Sequence, residues 1–178
     1  MAILKLPITV ADHSDGPDNA PIVLLEYGDY QCPACGEAYP IVKRIQKHFS
    51  GRLRFVFRNF PLNESHPEAE RAAETAEFAG AQEKFWQMHD ALYENQARLG
   101  GELYSTLAKK NNLSVSDLDA ALQAGSYRER VRSDFSGGIR SGVNGTPTFY
   151  VNGMRHDASF DFETLSAALE HQLLPHPR

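Results

Sequence analysis

Cys32 and Cys35 are the only cysteines of the chain, and they stand together in Gln31-Cys32-Pro33-Ala34-Cys35-Gly36. Two thiols so spaced can cycle between dithiol and disulfide, supply half of a tetrahedral metal shell, or lie inert. Redox cycling asks the most of their placement. If Cys32 opens a helix, unpaired N–H groups and the positive end of the helix dipole stabilise its thiolate, and its pKa falls. Cys35, one helical turn on, then reaches a mixed disulfide held on Cys32 and displaces its partner. A metal would need two further thiolate or imidazole ligands. With no second cysteine pair and seven histidines scattered along the chain, these would have to come from distant residues or another chain. A C-x-x-C disulfide closes so small a loop that it removes little unfolded-state entropy, which makes a purely stabilising role a poor use of it. The pair therefore reads as a redox couple.

The flanking elements must supply that helix start. Ile22-Val23-Leu24-Leu25-Glu26-Tyr27 is too continuously apolar for a half-exposed strand and fits one buried on both faces, with Glu26 as its anomaly. From Pro33 the period changes: Ala38, Ile41, Ile45 and Phe49 form a helical stripe that stops at Gly51. Pro33 suits a first turn, whereas Pro40 removes an interior N–H and predicts a kink. Leu53, Phe55 and Phe57, alternating with Arg54, Val56 and Arg58, predict a second strand that closes at Pro61. The three elements make a right-handed β-α-β unit with parallel strands. The polar segment Asp12–Pro21 reads as a loop leading into it.

Between Asn63 and Val143 the pattern is helical. It runs from the small-residue stripe Ala69, Ala72, Ala73, Ala76, Gly80 to a last helix carrying Tyr127, Val131, Phe135 and Ile139, which Gly137-Gly138 weakens near its end. Thr148–Val151 then predicts a strand, Asn152-Gly153 a type I′ turn into Met154-Arg155-His156, and Phe162, Leu165, Leu169 and Leu173 a final helix before a frayed tail from Pro175.

At 178 residues the chain suits one core. Its 18 basic and 23 acidic residues, net −5, include no basic block, which speaks against nucleic acid and against a polybasic membrane segment. No apolar run is long enough for a membrane span. MAILKLPITV lacks the apolar core and small-residue cleavage site of a secretory leader. Taken as a natural start, Met1 points to the cytoplasm; a start that replaced a leader would mean a periplasmic or secreted protein.

Three stretches together resemble the DsbA-like branch of the thioredoxin superfamily: Glu26-Tyr27-Gly28-Asp29-Tyr30-Gln31-Cys32-Pro33-Ala34-Cys35, then Arg58-Asn59-Phe60-Pro61-Leu62 with His66-Pro67, then Gly145-Thr146-Pro147-Thr148-Phe149-Tyr150-Val151-Asn152-Gly153. The resemblance runs from about Asp15 to about Leu173. It implies an α/β thioredoxin-like fold of β-α-β and β-β-α halves, residues 1–62 and 143–178, with an inserted α-helical domain at 63–142. Cys32 corresponds to the attacking thiol and Cys35 to the resolving one. Pro147 matches the loop proline that is cis in this superfamily and faces the pair. A cis Pro147 beside the thiols would leave the Thr146 backbone free to pair with an extended substrate strand. Glu26 matches a buried acid beneath the active site that could exchange a proton with Cys35. His66 receives no catalytic role.

The resemblance further implies disulfide exchange with protein or peptide thiols, and with glutathione, without organic cofactor or metal, the redox-active cysteine pair carrying the electrons. An unidentified redox partner would restore the pair. Strongly oxidising members carry His in the dipeptide, where this chain has Ala34, and that predicts a less oxidising couple. Two other readings share the fold: a glutathione-dependent kappa-type transferase or isomerase, for which the second cysteine is superfluous, and a non-catalytic peptide-binding module.

Overall fold

A computed structural model describes residues 1–175, so the tail expected after Pro175 lies outside the described residues. The elements run β1 (His13–Asp15), β2 (Ile22–Gly28), α1 (Pro33–His48), β3 (Leu53–Asn59), α2 (Ala69–Gly80), α3 (Phe85–Glu94), a 3-10 turn (Gln96–Arg98), α4 (Gly101–Lys110), α5 (Val115–Ala124), α6 (Arg128–Ser141), β4 (Thr148–Val151), β5 (Met154–His156) and α7 (Phe162–His171). One sheet has the order β1-β3-β2-β4-β5. β2 and β3 pair in parallel across α1, as the crossover demands, and the other neighbours are antiparallel. This is a thioredoxin-like sheet with helices α2–α6 between its two halves. None of the described helices is long and apolar enough to cross a membrane.

β2 is the central strand, and its alternation divides the core. Leu24, with Phe55 and Phe57 of β3 and Phe149 of β4, packs under α1, α3 and α7 in a cluster that also holds both cysteines. Leu25 and Tyr27 face the other way, against Val56, Phe60, Val143, Tyr150 and the α6 side chain Phe135. The second cluster explains why β3 is buried on both faces, although the sequence showed alternation with Arg54 and Arg58. Arg58 is buried because it has acceptors there: Asp12 takes its Nε and Nη2 protons at 2.7 and 3.0 Å, and the Leu6 and Pro7 carbonyls take others at 3.0 and 3.1 Å.

The fold therefore begins earlier than the sequence pattern placed it. His13–Asp15, inside the expected loop, forms an edge strand on β3. The N-terminus runs along β5 at the opposite edge, with Leu4 N–H donating to the Gly153 carbonyl at 2.8 Å and Arg155 N–H to the Ala2 carbonyl at 2.9 Å. Three polar residues carry no strand period; their structure comes from the unpaired edge they meet.

Other elements match their patterns for local reasons. α1 continues through Pro40, which is exposed. Asn152 and Gly153 have φ of 45° and 83°, the two left-handed residues that a type I′ turn needs. α6 runs through its glycine pair to Ser141, and a Cβ on Gly138 would stand 2.7 Å from the Phe60 ring. Glycine there trades helix propensity for close approach to the sheet.

Candidate active site

The loop between β2 and α1 is fixed before the thiols are placed. The buried Asp29 carboxylate accepts the N–H groups of Gln31 and Cys32 through Oδ1 at 2.8 and 3.2 Å. Its Oδ2 accepts the Leu62 N–H at 2.9 Å and lies 2.7 Å from His66 Nδ1. From the helical insertion, Gln96 Nε2 donates to the carbonyls of Tyr30 and Cys32, each at 2.8 Å. Gln31 Oε1 takes the Glu68 N–H at 2.7 Å. Side chains from three parts of the chain thus hold the residues leading into α1.

Cys32 is the N-cap of α1, in extended geometry, with Pro33 in the first turn where its missing N–H costs nothing. The two sulfurs are free thiols of unequal access: Cys32 is 6% exposed and Cys35 0%. In its thiol form Cys32 donates to the Thr146 carbonyl at 3.4 Å. Once ionised it faces donors instead: first the Cys35 S–H, then the Thr146 hydroxyl and the N–H groups of Cys35 and Ala34. Together these overcome partial burial and hold its pKa down at about 5. The Thr146 hydroxyl has no other partner among the described residues. Burial pushes Cys35 well above the ordinary thiol range, and its hydrogen bond to Cys32 and the charge of Glu26 push the same way. One thiol is ionised near neutrality and its neighbour holds a proton.

Glu26 lies on β2 between Phe57 and Phe149, on the face that carries α1, and is 3% exposed. Its Oε1 reaches to 3.0 Å from where a Gly28 Cβ would stand, so the carboxyl extends along the strand toward the end where the thiols sit, and Gly28 leaves it room. Burial, then the charge of Cys32, pushes its pKa up to about 8. The Thr146–Pro147 bond is cis, and β4 starts at Thr148, paired with Tyr27. The structure thus brings Cys32, Cys35, Glu26, Thr146 and Pro147 to one end of the sheet.

Other residues of this layer had no visible role in the sequence. Asp29 precedes a helix start, where a capping carboxylate is common, and that signal was available. His66 lay in a recurring stretch and proves to be the Asp29 partner. Gln96, His89 and Tyr93 come from the helical insertion, and no local pattern ties them to the thiols. His89 Nδ1 lies 2.9 Å from the Tyr30 hydroxyl in a buried aromatic cluster.

The thioredoxin family model matches residues 9–171. Among solved structures, oxidised BdbD from Bacillus subtilis is 26% identical and superposes with a TM-score of 0.87 over 97% of this chain and 98% of that one. Wolbachia pipientis alpha-DsbA1, at 19% identity and a TM-score of 0.82 over 95% and 94% of the two chains, shares the fold. Among curated proteins, the Na(+)/H(+) antiporter NhaA 1 of Salinispora arenicola is 42% identical over 158 residues, 89% of this chain and 24% of that protein. The chain spans about a quarter of the length of the curated relatives it matches. That overturns the cytoplasmic placement expected from the N-terminus. In those relatives the matching segment is one part of a much longer protein named as an antiporter, so where this sequence begins says nothing about a leader or an anchor. With matched residues covering nearly all of its sheet and helices, the chain belongs to the thioredoxin family and is a DsbA-like member of that superfamily.

Proposed function

We propose that this chain is a thiol–disulfide oxidoreductase that exchanges disulfides with protein or peptide substrates, and with glutathione, through Cys32 and Cys35. The observation that carries this reading is the unequal pair: a thiol at a helix N-cap, the more exposed of the two, with its pKa near 5, and a fully enclosed thiol held protonated beside it. To oxidise a dithiol, the Cys32–Cys35 disulfide is attacked at Cys32 Sγ by a substrate thiolate. The S–S bond breaks and its electron pair leaves on Cys35, which takes up a proton. The second substrate thiolate attacks the substrate sulfur of the mixed disulfide, Cys32 leaves as a thiolate, and the substrate departs oxidised. Reduction runs the same steps backward.

The electrons reside in the cysteine pair, with no organic cofactor or metal, and a redox partner of the same chemistry restores the starting state. The Thr146 carbonyl, 3.4 Å from Cys32 Sγ, sits where an extended peptide can add its backbone next to the reacting sulfur. Glu26 is the proton acceptor and donor for Cys35, since a carboxyl titrating near 8 can hold or release a proton at neutral pH. The balance between oxidation and reduction depends on the leaving group. A Cys32 thiol held at about 5 is a better leaving group than a free thiol, which favours the reduced pair.

Alkylation of the reduced protein tests the assignment. Cys32 should be labelled first, with a rate that rises to half its plateau at about pH 5. Cys35 should stay unlabelled while the fold holds. Preferential labelling of Cys35 would reverse the roles.

A further inference from the structure

Behind the thiol pair, α3 presents Tyr93, a side chain the exchange steps above do not use. Its ring is enclosed by those of Tyr30, His89, Tyr39 and Phe57, with centroids 4.9, 5.1, 5.3 and 6.4 Å away. Its hydroxyl is buried and makes no hydrogen bond among the described residues. A buried hydroxyl of this kind calls for an explanation. Beside it lies a cavity of about 10 Å³, room for a single water, walled by Tyr93, Glu26, His89 and Trp86 and leading past Lys43 and Gln46, both half-exposed, toward solvent.

Most polar groups on that wall are already engaged. Tyr39 donates to Glu94 at 3.0 Å, Lys43 pairs with Asp90 at 2.8 Å, and His89 is taken by Tyr30. The Tyr93 hydroxyl, buried without a protein partner among the described residues, and Glu26 line the same one-water space. We infer that Tyr93 is a positioning residue for the proton transfer: through a water in this cavity its hydroxyl donates to the Glu26 carboxylate and sets the pH range over which Glu26 takes the Cys35 proton. The inference rests on the reading of Glu26 as that acceptor.

The step balances. Cys35 gives its proton to the Glu26 carboxylate and its sulfur bonds to Cys32 Sγ, while the substrate sulfur leaves with the electron pair of the broken bond. The proton then passes from Glu26 to the cavity water and out past Lys43 and Gln46. Tyr93 keeps its own proton throughout, because burial, then the charges of Cys35 and Glu26, disfavour its ionisation. The titratable groups that face Glu26 are Cys32, Cys35, Tyr39 and Lys43 from α1, His89 and Tyr93 from α3, and Tyr30 from the loop; its strand neighbours Phe57 and Phe149 are apolar.

The test follows the resolving step in the whole chain, as release of glutathione from the mixed disulfide formed with oxidised glutathione, across neutral pH. Tyr93→Phe should resolve about threefold to tenfold more slowly at neutral pH, with its profile moved to higher pH, because the charged form of Glu26 has lost a donor. Its Cys32 alkylation profile should not move. Glu26→Gln should be slow with a flat profile. A Tyr93→Phe profile identical to the native one, with Glu26→Gln altered, would assign Tyr93 to packing alone and leave the Glu26 reading intact. Native profiles in both variants would remove the Glu26 reading and this inference with it. Infrared spectra of the native protein give a second readout that needs no variant: a protonated Glu26 carboxyl stretching at the frequency of a hydrogen-bonded group supports the bridge, and a free carboxyl band contradicts it.

Discussion

Cys32→Ser should abolish disulfide exchange, by about 10³-fold or more, the scale on which loss of a nucleophile usually falls. Cys35→Ser should instead accumulate mixed disulfides through Cys32. The difference comes from the surroundings of two chemically identical side chains. Cys32 sits at the N-cap, meets the Cys35 S–H and the Thr146 hydroxyl, and titrates at about 5. At neutral pH it is ionised, and it is the more exposed of the two sulfurs. A serine hydroxyl in its place offers no comparable anion. Cys35 is enclosed and protonated, so it cannot start the reaction from solution; in the proposed cycle it resolves the disulfide on Cys32. Without it the intermediate persists until another thiol arrives. Mass spectrometry of non-reduced samples after incubation with a peptide disulfide separates the cases: adducts on Cys35→Ser and none on Cys32→Ser. Equal turnover in both variants would remove the pair from the reaction.

The second large effect is on stability. Glu26 titrates at about 8 in the fold against 4.5 as the ordinary value, because burial penalises its charge. Below the lower value it is protonated in both folded and unfolded states and has no effect on the balance. As pH rises from there toward 8, the unfolded chain gives up the proton while the folded one keeps it, and stability falls. Above 8 the loss is complete, at roughly 3–6 kcal/mol. Glu26→Gln removes the ionisation, so urea unfolding of the reduced protein should find the variant close to the native chain near the ordinary carboxyl pKa and more stable by several kcal/mol at mildly alkaline pH. The Cys32 thiolate has the opposite pH dependence and is present in both proteins, so the difference between them reports Glu26 together with its coupling to the Cys32 charge. A constant difference across pH would mean that Glu26 is solvated.

How much of this was legible in the sequence depended on the range of the interaction. β2, α1 and β3 were plain because their own periods specify them, and the Asn152-Gly153 turn because its two left-handed residues are a local demand. The thiols were legible as a pair because C-x-x-C at a helix start has few other uses. Glu26 stood out as a charge in a buried run. β1 was missed because three polar residues have no period and owe their pairing to the free edge of β3. The burial of Arg58 was missed because its partner, Asp12, lies in a segment that reads as a loop. Gln96 and Tyr93 were invisible for a similar reason: they reach the thiols from helices more than fifty residues along the chain, and only the tertiary fold puts them there.

If Cys32 and Cys35 act as one two-electron couple, equilibration with glutathione buffers reads it out as a thiol–disulfide transition. Thioredoxin, at about −270 mV, and DsbA, at about −120 mV, bracket the range of the titration. A single transition within that range is expected, with dithiol and intramolecular disulfide as its only end states. A stable glutathione adduct on Cys32 in place of the disulfide, or a pair that stays reduced across the whole range, would contradict it.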